Sequence, residues 1–421
     1  MATVVSLTMS HYALRGSVTP DFGRKRQLSA GGAGHRPAWS LRGPMHLLCT
    51  RCQTNYPLDP CRFHCDCGGV LEIGGAPAYD PAQVDRDDLT LWRYRHALPL
   101  PEGAKPVSLG EGMTPLVPAR WGDLPILLKC EFLNPTGSFK DRGTTVLVTA
   151  LAAAGVEEVV EDSSGNAGAS LSAYAARAGL RATVYVPAHA SPVKQAQIEA
   201  YGARVVPVPG PRAEAARAVL EAVGWGAVYA SHVYHPLILH GMKTAAFELY
   251  EQLPSRIRDP ESRIHLRVPD AVVLPAGHGS LLLGLARGFA ELREAGCIQR
   301  APRLFGVQAA PCAPLAGAWE RGAADVEPVA EGETVAEGVR IGAPVRGGTV
   351  LAAVRRSGGG ILALPDEETL AAQRRLAHLG FYVEPTSALA VAALDRLRDR
   401  LEGTVVVILT GSGFKSPATQ S

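Results

Sequence analysis

From Leu116 to Thr410 the chain alternates between two hydrophobic patterns. Short apolar runs that do not alternate with polar residues fall at 126–132, 159–163, 183–187, 204–208, 227–231, 271–276, 303–309, 361–364 and 404–410. Longer Ala-, Val- and Leu-rich stretches lie between most of them, among them 144–154, 169–179 and 281–295. Strands apolar on both sides are covered on both faces. The pattern therefore predicts parallel sheets layered with helices, an α/β fold. No fixed-period repeat is present.

Upstream the pattern breaks down. Residues 1–44 are rich in Gly and Ser, carry Arg15, Arg24, Lys25, Arg26 and Arg36, and hold Asp21 as their only acid. They lack an apolar core followed by a cleavage site, so they read as a disordered basic arm rather than a secretory signal. Residues 45–75 form a cysteine cluster. Residues 76–110 are a Pro- and Asp-rich connector with an amphipathic patch around Trp92 and Tyr94. No run of 18 apolar residues predicts a membrane span.

The chain has 421 residues, long enough for two or three domains, with a 47% hydrophobic and 19% charged composition that suits a globular α/β protein. A net charge of +2 offers no overall attraction for nucleic acid. Lysine is scarce, seven in all, which makes Lys140, Lys194, Lys243 and Lys415 conspicuous as amines. Five of the eight cysteines fall between 49 and 67, which points to a metal rather than a disulfide framework. Cys49, Cys52, Cys65 and Cys67 have the spacing of a closed tetrahedral thiolate site, and so of structural zinc. Cys61 and His64 leave the ligand set open. His232, His235 and His240 are loosely spaced and read as ordinary polar or core residues.

Ligands in such sheets collect outside the carboxyl ends of strands, and four motifs fall there. Ser138-Phe139-Lys140-Asp141-Arg142-Gly143 follows the first apolar run. A half-buried lysine at that junction loses hydration, its pKa falls, and the neutral amine can attack an aldehyde. A lone lysine there would otherwise be a helix-capping surface residue. Asp162-Ser163-Ser164-Gly165-Asn166-Ala167-Gly168 is at least a helix start with a glycine turn, and its free N–H groups suit an anion. Pro275-Ala276-Gly277-His278-Gly279-Ser280-Leu281 is a glycine turn into a helix. It has neither dinucleotide-fingerprint spacing nor the end of a P-loop. Thr410-Gly411-Ser412-Gly413 closes the last strand.

Together these motifs resemble the fold-type II pyridoxal-phosphate (PLP) enzymes, and most closely the threonine synthases. Gly110 to Leu116, Gly241 to Glu248, Thr334 to Gly342 and Glu384 to Ala388 also match that family, in its order. The resemblance spans about 45–417. It implies a tryptophan synthase β-like fold of two parallel-sheet α/β domains plus a zinc-ribbon-like segment at 45–75. The large PLP-binding domain would comprise 76–145 and 245–417, and the smaller one 146–244. A homodimer in the cytoplasm, binding neither nucleic acid nor membrane, is expected.

The resemblance also implies roles. Lys140 carries the cofactor and acts as general base. Asn166 donates to the phenolic oxygen of PLP. Gly277, His278, Gly279 and Ser280 hold its phosphate. Thr410 stands beside the ring nitrogen, with Ser412 as competitor, and a hydroxyl there does not force that nitrogen to be protonated. Ser163, Ser164 and Thr114 fall to the amino-acid substrate. The activity implied is conversion of O-phospho-L-homoserine and water to L-threonine and phosphate. Ala167, His278, Ser280 and Ala343 depart from the usual threonine synthase pattern. They keep open a β-elimination or β-replacement enzyme, such as a serine/threonine dehydratase or a cysteine or cysteate synthase. A nucleic-acid-binding scaffold built on the ribbon and the arm is the competing reading of another class. It requires salt-sensitive binding and no cofactor.

Overall fold

The computed structural model describes residues 45–188, 192–210, 212–253, 256–257, 265–266 and 268–415. They lie in one compact unit, Trp39–Ser421. The expected basic arm, 1–44, falls outside them.

The chain opens with a three-stranded antiparallel ribbon, β1 (His46–Cys49), β2 (Asn55–Pro57) and β3 (Leu71–Gly74). So small a sheet needs outside support. Leu47, Leu71 and Ile73 supply it by packing into the main core. Glu72 pairs across to Arg346 at 2.8 Å and to Arg287.

A hairpin follows, β4 (Leu116–Trp121) and β5 (Leu124–Lys129), turned at Gly122, whose φ of +64° suits glycine. The first apolar run thus begins and ends earlier than its expected 126–132. Residues Glu131–Leu133 form a 3₁₀ turn instead, because Glu131 is drawn inward to a buried arginine. Helix α1 (Lys140–Ala153) leads to a four-stranded parallel sheet made of β6 (Glu158–Glu161), β7 (Arg181–Pro187), β8 (Arg204–Val208) and β9 (Val228–Tyr229), in the order β8-β7-β6-β9. The expected strand at 227–231 is shortened because the Ser231 hydroxyl accepts from the Val233 and Tyr234 N–H groups and turns the chain. Helices α2 (Asn166–Ala178), α3 (Pro192–Ala200) and α4 (Arg212–Gly224) make the crossovers.

Helices α5 (Pro236–Met242) and α6 (Thr244–Gln252) and a short antiparallel pair, β10 (Arg256–Ile257) with β11 (His265–Leu266), come next. The chain then completes the large sheet with β12 (Ala271–Pro275), β13 (Arg303–Ala309), β14 (Gly360–Leu364) and β15 (Val405–Ile408). Its order is β14-β13-β12-β15-β5-β4, parallel except for the β4–β5 edge. Every residue of β12 and β15 is buried. Val272, Leu274, Val406 and Ile408 enter one core, and Ala271, Val273, Val405 and Val407 the other. Both faces being apolar, no alternation shows in the sequence. Helices α7 (Ser280–Glu294), α8 (Pro314–Glu320), α9 (Gly347–Ser357), α10 (Asp366–His378) and α11 (Pro385–Leu397) cover the sheet. Among the described residues no helix is long and apolar enough to cross a membrane.

Helices α1 and α5 touch backbone to backbone. A Cβ on Gly241 would lie 2.0 Å from the Arg142 carbonyl oxygen, and one on Gly143 would lie 2.9 Å from Ile238 Cγ2. Gly241→Ala is therefore expected to lower unfolding stability by at least about 1–3 kcal/mol through overpacking. Gly224→Ala, at a helical position with nothing within 4 Å, should be neutral or slightly stabilising. Denaturant unfolding of both variants checks the contrast.

Candidate active site

Lys140 is the first residue of α1, ahead of the helix start expected at 144. The two residues after it are fully buried and locked. Asp141 accepts from the Thr136 N–H at 2.7 Å, the Thr136 hydroxyl at 2.6 Å and the Ser170 hydroxyl at 2.6 Å. Arg142 forks onto Glu131 through Nε and Nη2, both at 2.6 Å. It also reaches Glu248 through Nη1 at 2.6 Å and Nη2 at 2.7 Å. Lys129 Nζ completes the cluster, 2.7 Å from Glu248 and 2.7 Å from the Thr114 carbonyl oxygen. Burial alone would raise the Glu248 carboxyl, but Arg142 and Lys129 outweigh it and hold it at about 2. With its neighbours so fixed, Lys140 stands half-buried with its Nζ 4.7 Å from the Phe139 ring centre.

Strand order brings the loops that end in Thr410 and in Gly277 to Ser280 beside the one that carries Lys140. β15 lies between β5 and β12, so the loops after those strands are neighbours. Ser138 and Gly411 form a bridge, and the Phe139 N–H donates to the Thr410 carbonyl at 3.0 Å. Thr410 is buried with its hydroxyl 3.0 Å from Ser387 Oγ and 3.5 Å from Glu384 Oε1. Ser412 Oγ accepts from the Phe414 N–H.

Asn166 opens α2, and its Nδ2 donates to Glu384 Oε2 at 3.0 Å. Ser163 Oγ accepts from the Gly165 N–H at 3.3 Å, and Ser164 is half-buried beside it. Gly168 is required there, since a Cβ would lie 2.0 Å from the Ser163 carbonyl oxygen. Gly279 precedes α7 with φ +83°, and a Cβ on it would meet Val350 at 2.3 Å. A Cβ on Gly277 would meet the Gly338 carbonyl at 3.0 Å. This is a glycine cradle before the amide end of a 15-residue helix, with Ser280 as its first residue, and it suits a phosphate. His278 lies 6.3 Å, ring to ring, from His232, which is paired with Glu161 at 2.8 Å.

Not every expected residue reaches the rim. The Thr114 hydroxyl donates to Glu131 at 2.7 Å inside the charge cluster. Lys243 is ion-paired with Glu291 at 2.7 Å, and burial holds it at about 8. Lys415 donates to the Thr136 carbonyl at 2.9 Å and so buttresses the loop before Lys140. The Lys194 side chain lies outside the described residues. His235 caps α5 and bonds the Pro60 carbonyl, and His240 faces Arg287.

Glu384 was legible only as part of a matching segment. Its signal is an acid placed before Pro385 at a helix start whose carboxylate does not cap that helix. Lys129 gave no signal at all.

The sulfurs of Cys49, Cys52, Cys65 and Cys67 all lie within 4.8 Å of one another. Cys49 and Cys67 are 3.6 Å apart, and Cys52 and Cys65 are 3.5 Å apart. Four thiolates at about 2.3 Å from one metal ion would stand about 3.8 Å apart. The Arg51 and Cys52 N–H groups both point to Cys49 Sγ. Cys61 and His64 lie outside this set.

The model of the pyridoxal-phosphate dependent enzymes matches residues 107–411. The chain belongs to that family. Within it the chain is a threonine-synthase-like lyase. It is 36% identical to the threonine synthase of Methanocaldococcus jannaschii over 88% of this chain and 92% of that one. It is also 36% identical to that of Methanosarcina acetivorans over 89% and 93%. The threonine synthase of Mycobacterium tuberculosis is 37% identical over 77% and 88%. Among solved structures, the T.th. threonine deaminase superposes with a TM-score of 0.60 at 30% identity, covering 71% of this chain and 92% of that one. Maize serine racemase shares the fold, with a TM-score of 0.59 at 21% identity over 68% and 83%. The glycine cradle, Lys140, Asn166 and Thr410 form a donor set that fits the family's cofactor.

Glu248→Ala should cost about 3–5 kcal/mol, since it leaves Arg142 and Lys129 buried with half their countercharge. In the intact protein Glu248 is depressed from 4.5 to about 2. Its contribution to stability is therefore present above pH 4.5 and lost as pH falls toward 2. Urea unfolding of both proteins across acid pH should show the variant lacking that decline.

Proposed function

We propose that this protein converts O-phospho-L-homoserine and water to L-threonine and phosphate. What supports the reading is the run of relatives named threonine synthase, aligned over nearly nine-tenths of the chain, together with a lysine, an asparagine and a glycine turn that each stand at a helix start. When bound, PLP withdraws electrons from the substrate's α-carbon so that its proton can leave. Lys140 would carry the cofactor and then, as a neutral amine, take up the Cα proton and return one later. The buried flanks Asp141 and Arg142 keep that amine from wandering. Asn166 would meet the phenolic oxygen, Gly277 to Ser280 the phosphate, and Ser163 and Ser164 with the α2 amides the substrate carboxylate. The resemblance supports a homodimer working in the cytoplasm.

One observation favours a second reading. Ala167 and Ala343 offer no polar side-chain atom to a substrate phosphate, and the T.th. threonine deaminase is 30% identical. A β-eliminase acting on serine or threonine would need no phosphate subsite. Selectivity for a phosphorylated substrate requires groups that would be left unpaired by one without it.

Zinc in the four-cysteine ribbon is also proposed, as a structural ion, because four thiolates leave no open position. Atomic emission should find one equivalent per chain, and Cys49→Ser or Cys65→Ser should lose it together with thermal stability.

Purified protein should release phosphate and threonine from O-phospho-L-homoserine. Lys140→Ala should lower the rate by at least about 10²–10⁴-fold. Formation of 2-oxobutanoate from threonine, with no phosphate release from the phosphorylated substrate, would move the assignment to the second reading.

A further inference from the structure

Two buried carboxyl groups stitch together the helices that begin at Lys140 and Asn166. Asp141 and Thr145 are one turn apart on α1, and Ser170 and Tyr174 are one turn apart on α2, so each pair lies on one helix face. Asp141 Oδ1 takes the Ser170 hydroxyl at 2.6 Å. One turn further along, Glu111 joins the two helices, with Oε1 2.7 Å from the Thr145 hydroxyl and Oε2 2.7 Å from the Tyr174 hydroxyl. Glu111 is held in turn by the Trp92 indole N–H at 2.7 Å and the Leu109 N–H at 2.8 Å. Asp141, Thr145, Ser170, Tyr174 and Glu111 are all sealed from water.

These contacts form a ladder that sets register. Helix α2 is rich in alanine, and apolar packing is non-directional, whereas hydrogen bonds hold both distance and angle. One rung would act as a pivot. A second rung, about 6 Å along the axis, removes the pivot as well. The ladder does not depend on which group gives the proton, since a carboxyl and a hydroxyl at these distances are bonded with either one donating. Asn166 continues the stripe on α2, because positions 166, 170 and 174 recur every four residues. Lys140 adjoins Asp141 at the start of α1. The stripe that carries the rungs thus ends at Asn166 on one helix and beside Lys140 on the other.

We infer that Asp141 and Glu111 are positioning residues that fix where Asn166 stands relative to Lys140. Neither touches the ligand. The inference rests on the cofactor placement proposed above, in which both ends of the ladder serve one molecule: Lys140 carries PLP and Asn166 meets its phenolic oxygen. Glu384 governs the direction of the Asn166 amide, through the 3.0 Å bond from Nδ2. The ladder governs where the backbone beneath that amide begins. A binding site holds its groups to within about 0.5 Å, which a pivoting helix does not achieve.

The test is a double-mutant cycle read as the dissociation constant of PLP. Full-length apo forms of wild type, Ser170→Ala, Tyr174→Phe, Asn166→Ala and the two doubles that join Asn166→Ala to each rung variant are titrated with PLP. Each rung variant removes a single hydroxyl and leaves its carboxyl group at least two other partners, Thr136 N–H and hydroxyl on Asp141, Trp92 and Leu109 on Glu111. Each is expected to bind PLP about three- to tenfold more weakly than wild type. The same substitution in the Asn166→Ala background should cost nothing further, because the ladder acts through Asn166. A merely structural rung would give losses that multiply in the doubles. That result, or wild-type affinity in either rung variant, overturns the inference while leaving the placement standing. PLP bound as tightly by Asn166→Ala as by wild type overturns the placement and the inference together. The rungs are tested separately, so one variant decides the matter should the other not fold.

Discussion

Four charges sealed from water govern the shape of this protein. Arg142, Glu131, Glu248 and Lys129 are completely buried, two of each sign. Stripping such groups of hydration costs several kcal/mol apiece, and only complete pairing offsets it. The cluster is therefore a poor source of net stability and a strict source of geometry. It joins β5 and the turn after it to α1, where the chain leaves the large sheet, and to α6, where it returns. Any slip of α1 along its axis would break the Arg142 fork, so the first turn of that helix has one permitted position. Lys140 occupies that turn.

Around this anchor the site is assembled from helix starts. Lys140, Asn166 and Ser280 each open a helix. The glycines near them serve close approach: Gly168 against the Ser163 carbonyl, Gly279 against Val350. Contacts across the rim then tie the loops to one another. The Ser138–Gly411 bridge joins the lysine segment to the last strand, and the Asn166–Glu384 bond joins the four-stranded sheet to a helix of the six-stranded one. The rim is thus cross-braced before any ligand arrives.

How much of this was legible in the sequence depended on how far apart the partners lie. The apolar strands, the lysine segment and the cysteine spacing are local signals, and the structure shows sheets at the expected runs and the four sulfurs together. What escaped is what pairs over distance. Arg142 finds Glu248 across 106 residues, and Asn166 finds Glu384 across 218. Nothing in a linear pattern marks Glu131 as buried, so the apolar run extends past the end of the first strand. Nor does anything local mark Glu131 as the buried partner that takes the Thr114 hydroxyl. The antiparallel β4 edge went unseen because an edge strand, half-exposed and carrying Pro118, lacks the apolar run that marks a central one.

The ribbon's place against the body has a consequence for how such a protein can change. Phe63, at the ribbon's far side, sits edge-on to Tyr229 with 5.0 Å between ring centres, and Tyr229 in turn holds Asp162, the residue before Ser163. The Pro60 carbonyl rests on His235, and Arg346 reaches both the Leu71 carbonyl and the Tyr234 carbonyl. The segment is therefore no detachable appendage. Trimming it, or exchanging it with that of a relative, would alter the support beneath the strand end that carries Ser163 and Asn166. Ribbon and rim are thus mechanically one piece, each limiting the substitutions the other can accept.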